Sequence, residues 1–167
     1  MNGIPVQVGA SGISREVMRE VIETYFDGCN EVDAAKITAC FAEDAVHYFP
    51  EGTAYGTFAG AAAIAEGWRR AVDTLGSVWT IDAMLFDEAK GEAAIEWTHF
   101  KPNLGCHLRG VEWYQFRPDG RIGEIRAYYA ATFPDPTVTR QLGGFDYAGR
   151  GYALHAPEVE SRGRPRP

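Results

Sequence analysis

Cys106-His-Leu-Arg-Gly-Val-Glu-Trp-Tyr-Gln-Phe-Arg117, then Pro118-Asp119-Gly120, then Arg121-Ile-Gly-Glu-Ile-Arg-Ala-Tyr-Tyr-Ala-Ala131, form two β-rich runs hinged on a tight turn. Aromatic and branched residues suit a pleated, half-buried surface, and Asp-Gly supplies the backbone freedom a hairpin needs. Upstream, Val78 to Phe86 and Ala93 to Lys101 read as two more strands, separated by turns at Asp87–Gly91 and Pro102–Gly105. The C-terminal half is therefore a run of four antiparallel strands.

The residues before Gly76 change period. Val17, Val21, Ile22, Tyr25 and Phe26 recur every three or four positions after Ser14, a residue suited to cap a helix, and Gly28 offers its end. A short second helix follows Asp33, with Ile37, Cys40 and Phe41 as its apolar face. Ala45 to Phe49 reads as a strand stopped by Pro50-Glu51-Gly52. A third helix spans about Ala59 to Leu75, with Ile64, Trp68, Ala71 and Val72 on one side. Helices segregated against an antiparallel sheet make an α+β domain. Its expected extent is 14–132. Residues 1–13 read as a flexible arm, and 133–167 as a Gly/Pro-rich extension that forms a lid or contacts a partner. Phe145, Tyr147, Tyr152 and Leu154 give that extension material to drape over the body.

Composition narrows the function. A net charge of −7 and a pI of about 5.1 would repel nucleic-acid phosphates. The basic residues Arg162, Arg164 and Arg166 read as a solvated tail. No apolar run approaches a bilayer span, and the N-terminus lacks a basic-then-apolar leader, so the expectation is a cytoplasmic protein away from membranes. Cys29, Cys40 and Cys106 lack metal or redox spacing and read as reduced thiols. No phosphate-cradling loop, dinucleotide fingerprint or nucleophile elbow is present, so no cofactor is expected.

The element order resembles the NTF2-like superfamily, with its ketosteroid isomerase, scytalone dehydratase and SnoaL-like polyketide cyclase members. Residues 14–131 carry the resemblance. Its markers are Tyr25-Phe-Asp-Gly-Cys-Asn-Glu-Val-Asp33, Cys40-Phe-Ala-Glu-Asp-Ala45 and Gly120-Arg-Ile-Gly-Glu-Ile-Arg126. It implies a cone-shaped α+β barrel, with three helices packed on a curved, mostly antiparallel sheet around a cavity. It also implies which strand faces point inward: Ile95, Trp97 and His99; Gly110, Glu112, Tyr114 and Phe116; His47 and Phe49; Ile125, Ala127 and Tyr129. The outer aromatics of Trp113-Tyr114 and Tyr128-Tyr129 imply a homodimer through the outer sheet face. The superfamily hosts enzymes and binders alike, so the fold leaves function open.

The expected catalytic set is Tyr25, His47, His99 and Glu112. Tyr25 stands where the isomerase keeps its oxyanion-hole tyrosine, and Glu112 where it keeps a protonated oxyanion-hole acid. Tyr25 as a plain core tyrosine, and Glu112 as an outward residue paired with Arg109 or Arg126, are the alternatives. Burial would disfavour the Glu112 anion, suiting it to act as a donor or as a tuned base. Either histidine can move protons near neutral pH, or simply fill the core. A His, His, Glu metal site lacks supporting spacing, and no metal is expected. Phe49, Trp68, Trp97, Tyr114, Phe116 and Tyr129 are the expected substrate-binding walls.

Two departures stand out. Phe49 occupies the position of the isomerase's base, and Glu124-Ile-Arg-Ala127 replaces the acid/base motif of the cyclases' last strand. The reading is a cofactor-independent lyase or isomerase for a small hydrophobic, cyclic or aromatic oxygenated compound. A non-catalytic binding protein and a structural dimer with a plugged pocket are its alternatives.

Overall fold

The computed structural model describes residues 12–53, 56–129, 142–151 and 154. Most of the N-terminal arm, the expected strand end at Ala130–Ala131, and Tyr152, His155 and the arginine-bearing tail lie outside them.

Helix α1 spans Arg15–Glu31, with the Ser14 hydroxyl accepting from the Val17 amide. Its buried face is Met18, Ile22, Tyr25, Phe26 and Cys29, while Val17, expected on that face, is exposed. Gly28 does not end the helix as its residue type suggested. The chain continues to Glu31 and stops at Val32, which takes a left-handed φ of 60°. Gly28 is instead a packing glycine, because a Cβ there would sit 2.9 Å from Ile37 Cγ1 and 3.2 Å from Ile37 N. That close approach seats α2, Ala34–Ala39, whose cap Asp33 accepts from the Lys36 amide at 2.9 Å.

Strand β1 covers Phe41–Tyr48, so it starts four residues earlier than the sequence suggested. Phe41 belongs to this strand rather than to α2, because it pairs with Ile122 far along the chain. A two-residue strand β2, Phe58–Ala59, pairs with Val46 and His47; two residues carry no readable period. Helix α3, Ala61–Leu75, ends at left-handed Gly76. Strands β3 (Val78–Asp87), β4 (Glu92–Lys101), β5 (Cys106–Phe116) and β6 (Ile122–Tyr129) complete the set.

The six strands form one sheet in the order β2-β1-β6-β5-β4-β3. Every pairing is antiparallel except β1 with β6. Register shifts in β1, β3 and β5 bend it. The result is an open, curved mixed sheet with three helices packed on it, a cone-shaped α+β fold. Ile95, Trp97, His99, Glu112, Tyr114, Phe116, His47, Phe49, Ile125 and Ala127 are all buried under the helices. Thr98, on the opposite face, is also buried, its hydroxyl donating to Asp82 at 2.6 Å.

Residues 142–151 lie against this body. Pro50 bridges to Leu142, and the Gly143 amide donates to the Phe49 carbonyl at 3.0 Å. Arg150 grips Glu124 through two nitrogens at 2.9 and 2.6 Å and stacks over Phe145. No helix among the described residues is long and apolar enough to cross a membrane.

Candidate functional site

Between the helices and the concave sheet face lies a cavity of about 430 Å³. Its walls are mostly hydrocarbon: Phe26, Phe49, Trp68, Trp79, Trp97 and Tyr129 line it. Several of these rings meet edge to face, with Phe49–Trp68 at 5.8 Å and Trp68–Trp79 at 5.2 Å. Such pairs hold a wall rigid, each adding about 1 kcal/mol beyond its burial. The buried end carries Tyr25, Cys29, Glu112 and Ala127; the rim, with residual exposure, carries Thr74, Leu75, Lys101 and Leu108.

Among the described residues Glu112 is the only acidic side chain on the wall, and it is 5% exposed. It points inward, and the pairings with Arg109 or Arg126 do not form; Arg126 lies beside Glu124 instead. Both Glu112 oxygens have a neighbour. The Tyr114 hydroxyl donates to Oε2 at 2.5 Å, and His47 Nε2 lies 3.4 Å from Oε1. Desolvation and then the charge of Glu112 push the Tyr114 phenol well above its ordinary range, so it remains a donor.

His47 is fully buried and does not touch the cavity. Its ring stacks on Phe49 at 4.2 Å and sits edge-on to Phe58 and Trp68. Neither ring nitrogen makes a hydrogen bond, which leaves the Glu112 carboxyl as its close ionisable neighbour. A chemical role for His47 therefore runs through Glu112. Tyr114 and Phe116, expected as walls, are also absent from the lining. Tyr114 is spent on Glu112, and Phe116 stacks behind it at 6.5 Å, toward the narrow end.

Tyr25 lines the buried end, and its oxygen accepts from Trp68 Nε1 at 2.6 Å. Its own proton is directed at the Cys29 sulfur, so a ligand oxygen at this end would compete with that thiol for it. Burial raises its pKa well above normal, so the hydroxyl stays neutral. The accepted indole hydrogen bond polarises it into a better donor.

His99 sits higher on the wall, stacked on Trp79 at 4.5 Å. Ser77 fixes its tautomer. The Ser77 hydroxyl donates to the Ala71 carbonyl at 3.0 Å, so at its 2.7 Å contact with His99 it accepts from Nε2–H. Nδ1 then carries the lone pair. Burial, reinforced by Lys101, lowers the His99 pKa to about 4. At neutral pH the ring is uncharged and accepts a hydrogen bond. Among the described residues no three metal-ligating side chains come together.

Sequence reasoning missed Trp79, Ser77 and Lys101. Lys101 was readable, since it shares the parity of Trp97 and His99. Trp79 and Ser77 required the pairing of β3 with β4, which sets Trp79 opposite His99.

Comparison with known proteins fits this architecture. Residues 22–125 match the model of the SnoaL-like domain. A protein of unknown function with a cystatin-like fold from Methylobium petroleophilum is 54% identical, over 89% of this chain and 98% of that one, with a TM-score of 0.84. A putative polyketide cyclase from Sinorhizobium meliloti is 22% identical, over 65% of this chain and 94% of that one, with a TM-score of 0.56. SalBIII, an epoxide hydrolase/cyclase-like enzyme in pyran ring formation in salinomycin, is 20% identical, over 70% and 93%, with a TM-score of 0.59. These last two likenesses show the fold alone. No curated protein matches the chain. With well over half its length matched and the helices and sheet in the order described, the chain belongs to the SnoaL-like domain family within the NTF2-like superfamily.

Proposed function

We propose that the protein is a cofactor-independent lyase or isomerase acting by acid/base catalysis on a small, hydrophobic, cyclic oxygenated compound. One observation carries this reading: a single buried carboxyl, Glu112, ends an apolar cavity, with Tyr114 and His47 at its two oxygens. A buried carboxyl is costly to the fold unless partnered, and sites of proton transfer are where such arrangements concentrate.

Glu112 takes a proton from a carbon of the bound substrate. The electron pair left behind moves toward the substrate's oxygen, which gains negative charge beside the Tyr25 hydroxyl. Tyr25 stabilises that oxygen by hydrogen bonding. In isomerisation, Glu112 returns the proton to another carbon. In dehydration, Glu112 passes the proton it took from carbon to the departing hydroxyl, which leaves as water as the C–O bond breaks. His47, one layer back, packs against Glu112 and positions it. His99 accepts a hydrogen bond from a substrate hydroxyl through Nδ1. Structural neighbours named as a polyketide cyclase and as an epoxide hydrolase/cyclase-like enzyme share this fold.

A second reading, a non-catalytic binder, is favoured by Phe49 and Ala127, hydrocarbon walls where relatives keep acid/base groups. The plugged reading is disfavoured by the cavity volume, which exceeds the ~300 Å³ lower bound for ligand sites.

The test is a thermal-shift panel of ketones, phenols, epoxides and polycyclic alcohols, followed by turnover assays on the hits. A ligand at a hundred times its Kd adds about 2.7 kcal/mol of stability. Turnover that falls at least a hundredfold in Glu112→Gln supports the enzyme. Binding without turnover in the wild type supports the binder.

A further inference from the structure

The cavity has two charged ends. Among the described lining residues, Lys101 is the only cationic side chain and Glu112 the only acidic one, since His99 is neutral at pH 7. They lie at opposite depths. Glu112 pairs across the sheet with Ile95, while Lys101 is six residues further along the same strand. At the strand rise this is about 20 Å of backbone, shortened by curvature and by the reach of both side chains.

Lys101 is half-buried and shares the inward face of β4 with Trp97 and His99. Its charge reaches into the site, because it is a cause of the lowered His99 pKa. It has no ion-pair partner among the described residues, whereas Lys36 and Lys90 each hold a carboxylate. In a chain of net charge −7, an unpaired lysine turned toward an apolar cavity marks a place for an anion supplied from outside.

We propose that the ligand is a carboxylate-bearing ring compound, its anionic group held at the rim by Lys101 and its neutral, reactive end directed to Glu112. This rests on the acid/base reading of the same cavity and adds the substrate's charge and orientation. A carboxylate at the buried end would face Glu112 and be repelled; at the rim it meets Lys101. The charge pair thus enforces one orientation of an otherwise greasy body, which apolar walls cannot do. Lys101 is here a specificity residue and takes no part in proton transfer.

The experiment is calorimetric titration of the whole protein with 2-naphthoic acid and with its methyl ester, at low salt. The wild type should bind the acid about 5-fold more tightly than the ester, the scale of a partly exposed ion pair. Lys101→Met should abolish that preference while leaving ester binding unchanged, and Lys101→Arg should restore it. Circular dichroism of each variant checks folding. Equal binding of acid and ester by the wild type, or a preference that survives Lys101→Met, would overturn the inference and leave the acid/base reading standing. Binding of neither compound would overturn the inference and weaken the cavity reading with it. An intact acid preference together with turnover unaffected by Glu112→Gln would take Glu112 out of the chemistry but keep the anion site.

Discussion

Over 111–116 each face of β5 carries two apolar or aromatic residues and one polar one, and the two faces meet opposite fates. Glu112, Tyr114 and Phe116 are between 0 and 6% exposed, while Val111 and Trp113, interleaved with them, are 44 and 39% exposed. The neighbouring strands repeat the pattern, with Ile125 and Ala127 sealed under the helices and Tyr128 open on the other side. A hydrophobic residue on a strand therefore does not declare which side is the interior. The helices decide it, by covering one face. A polar residue does not declare itself either. Glu112 lies on the covered face and tyrosine and histidine accommodate it, whereas Thr98 is buried on the open face by Asp82.

The contrast can be broken most severely at Glu112. If the covered face performs chemistry, Glu112→Gln lowers kcat by about a hundred- to a thousandfold once a substrate is in hand, with the fold retained by circular dichroism. A variant of normal turnover would take Glu112 out of the chemistry.

The next effects are on stability. Gly110 lies under the Trp97 ring, so a Cβ there would meet Trp97 Cζ2 at 2.6 Å and the Tyr128 carbonyl at 2.8 Å. Gly110→Ala should cost about 2 kcal/mol in urea unfolding, because backbone cannot step aside as a side-chain tip can. Tyr114→Phe should cost about 1–3 kcal/mol, since it strips a buried carboxyl of its donor. If Tyr114→Phe proved neutral, the Glu112–Tyr114 contact would not be a support of the site.

A smaller effect concerns pH. The folded His99 is depressed to about 4 from an ordinary 6.5, so between those values the unfolded chain binds the extra proton and the folded chain does not. Stability should be fully present above pH 6.5 and fall as pH drops toward 4. After allowance for solvent screening the loss is on the order of 1 kcal/mol. His99→Gln should flatten that part of the stability-against-pH curve, measured by thermal midpoints across buffers.

The smallest effect belongs to the open face. Val111→Thr should change stability by less than about 0.5 kcal/mol. A loss well above 1 kcal/mol, or one that depends on protein concentration, would show that this face is covered in solution.

Much of the inner face was legible. Strand alternation sorted the residues of each strand into two faces, the family resemblance put Trp97, His99, Glu112 and Tyr129 on the inner one, and the Ser14 and Asp33 caps marked two helix starts. What was not legible came from pairings between distant residues. Ile122 draws Phe41 out of its apparent helix, and Ile37 turns Gly28 from a stop signal into a seat. Similarly, Phe49 and Phe58 enclose His47, so that it faces only the Glu112 carboxyl rather than the cavity.

The sequence by itself determined most of the elements, their order and the alternation of side chains within each strand. These are local properties, written in period and turn chemistry within a dozen residues. Only the tertiary structure decided which polar groups neighbour Glu112, which histidine touches the cavity, and that Lys101 stands at its rim without an ion-pair partner among the described residues. Those facts depend on distances between residues far apart in the chain, set by helix packing and sheet curvature that a periodic pattern does not encode.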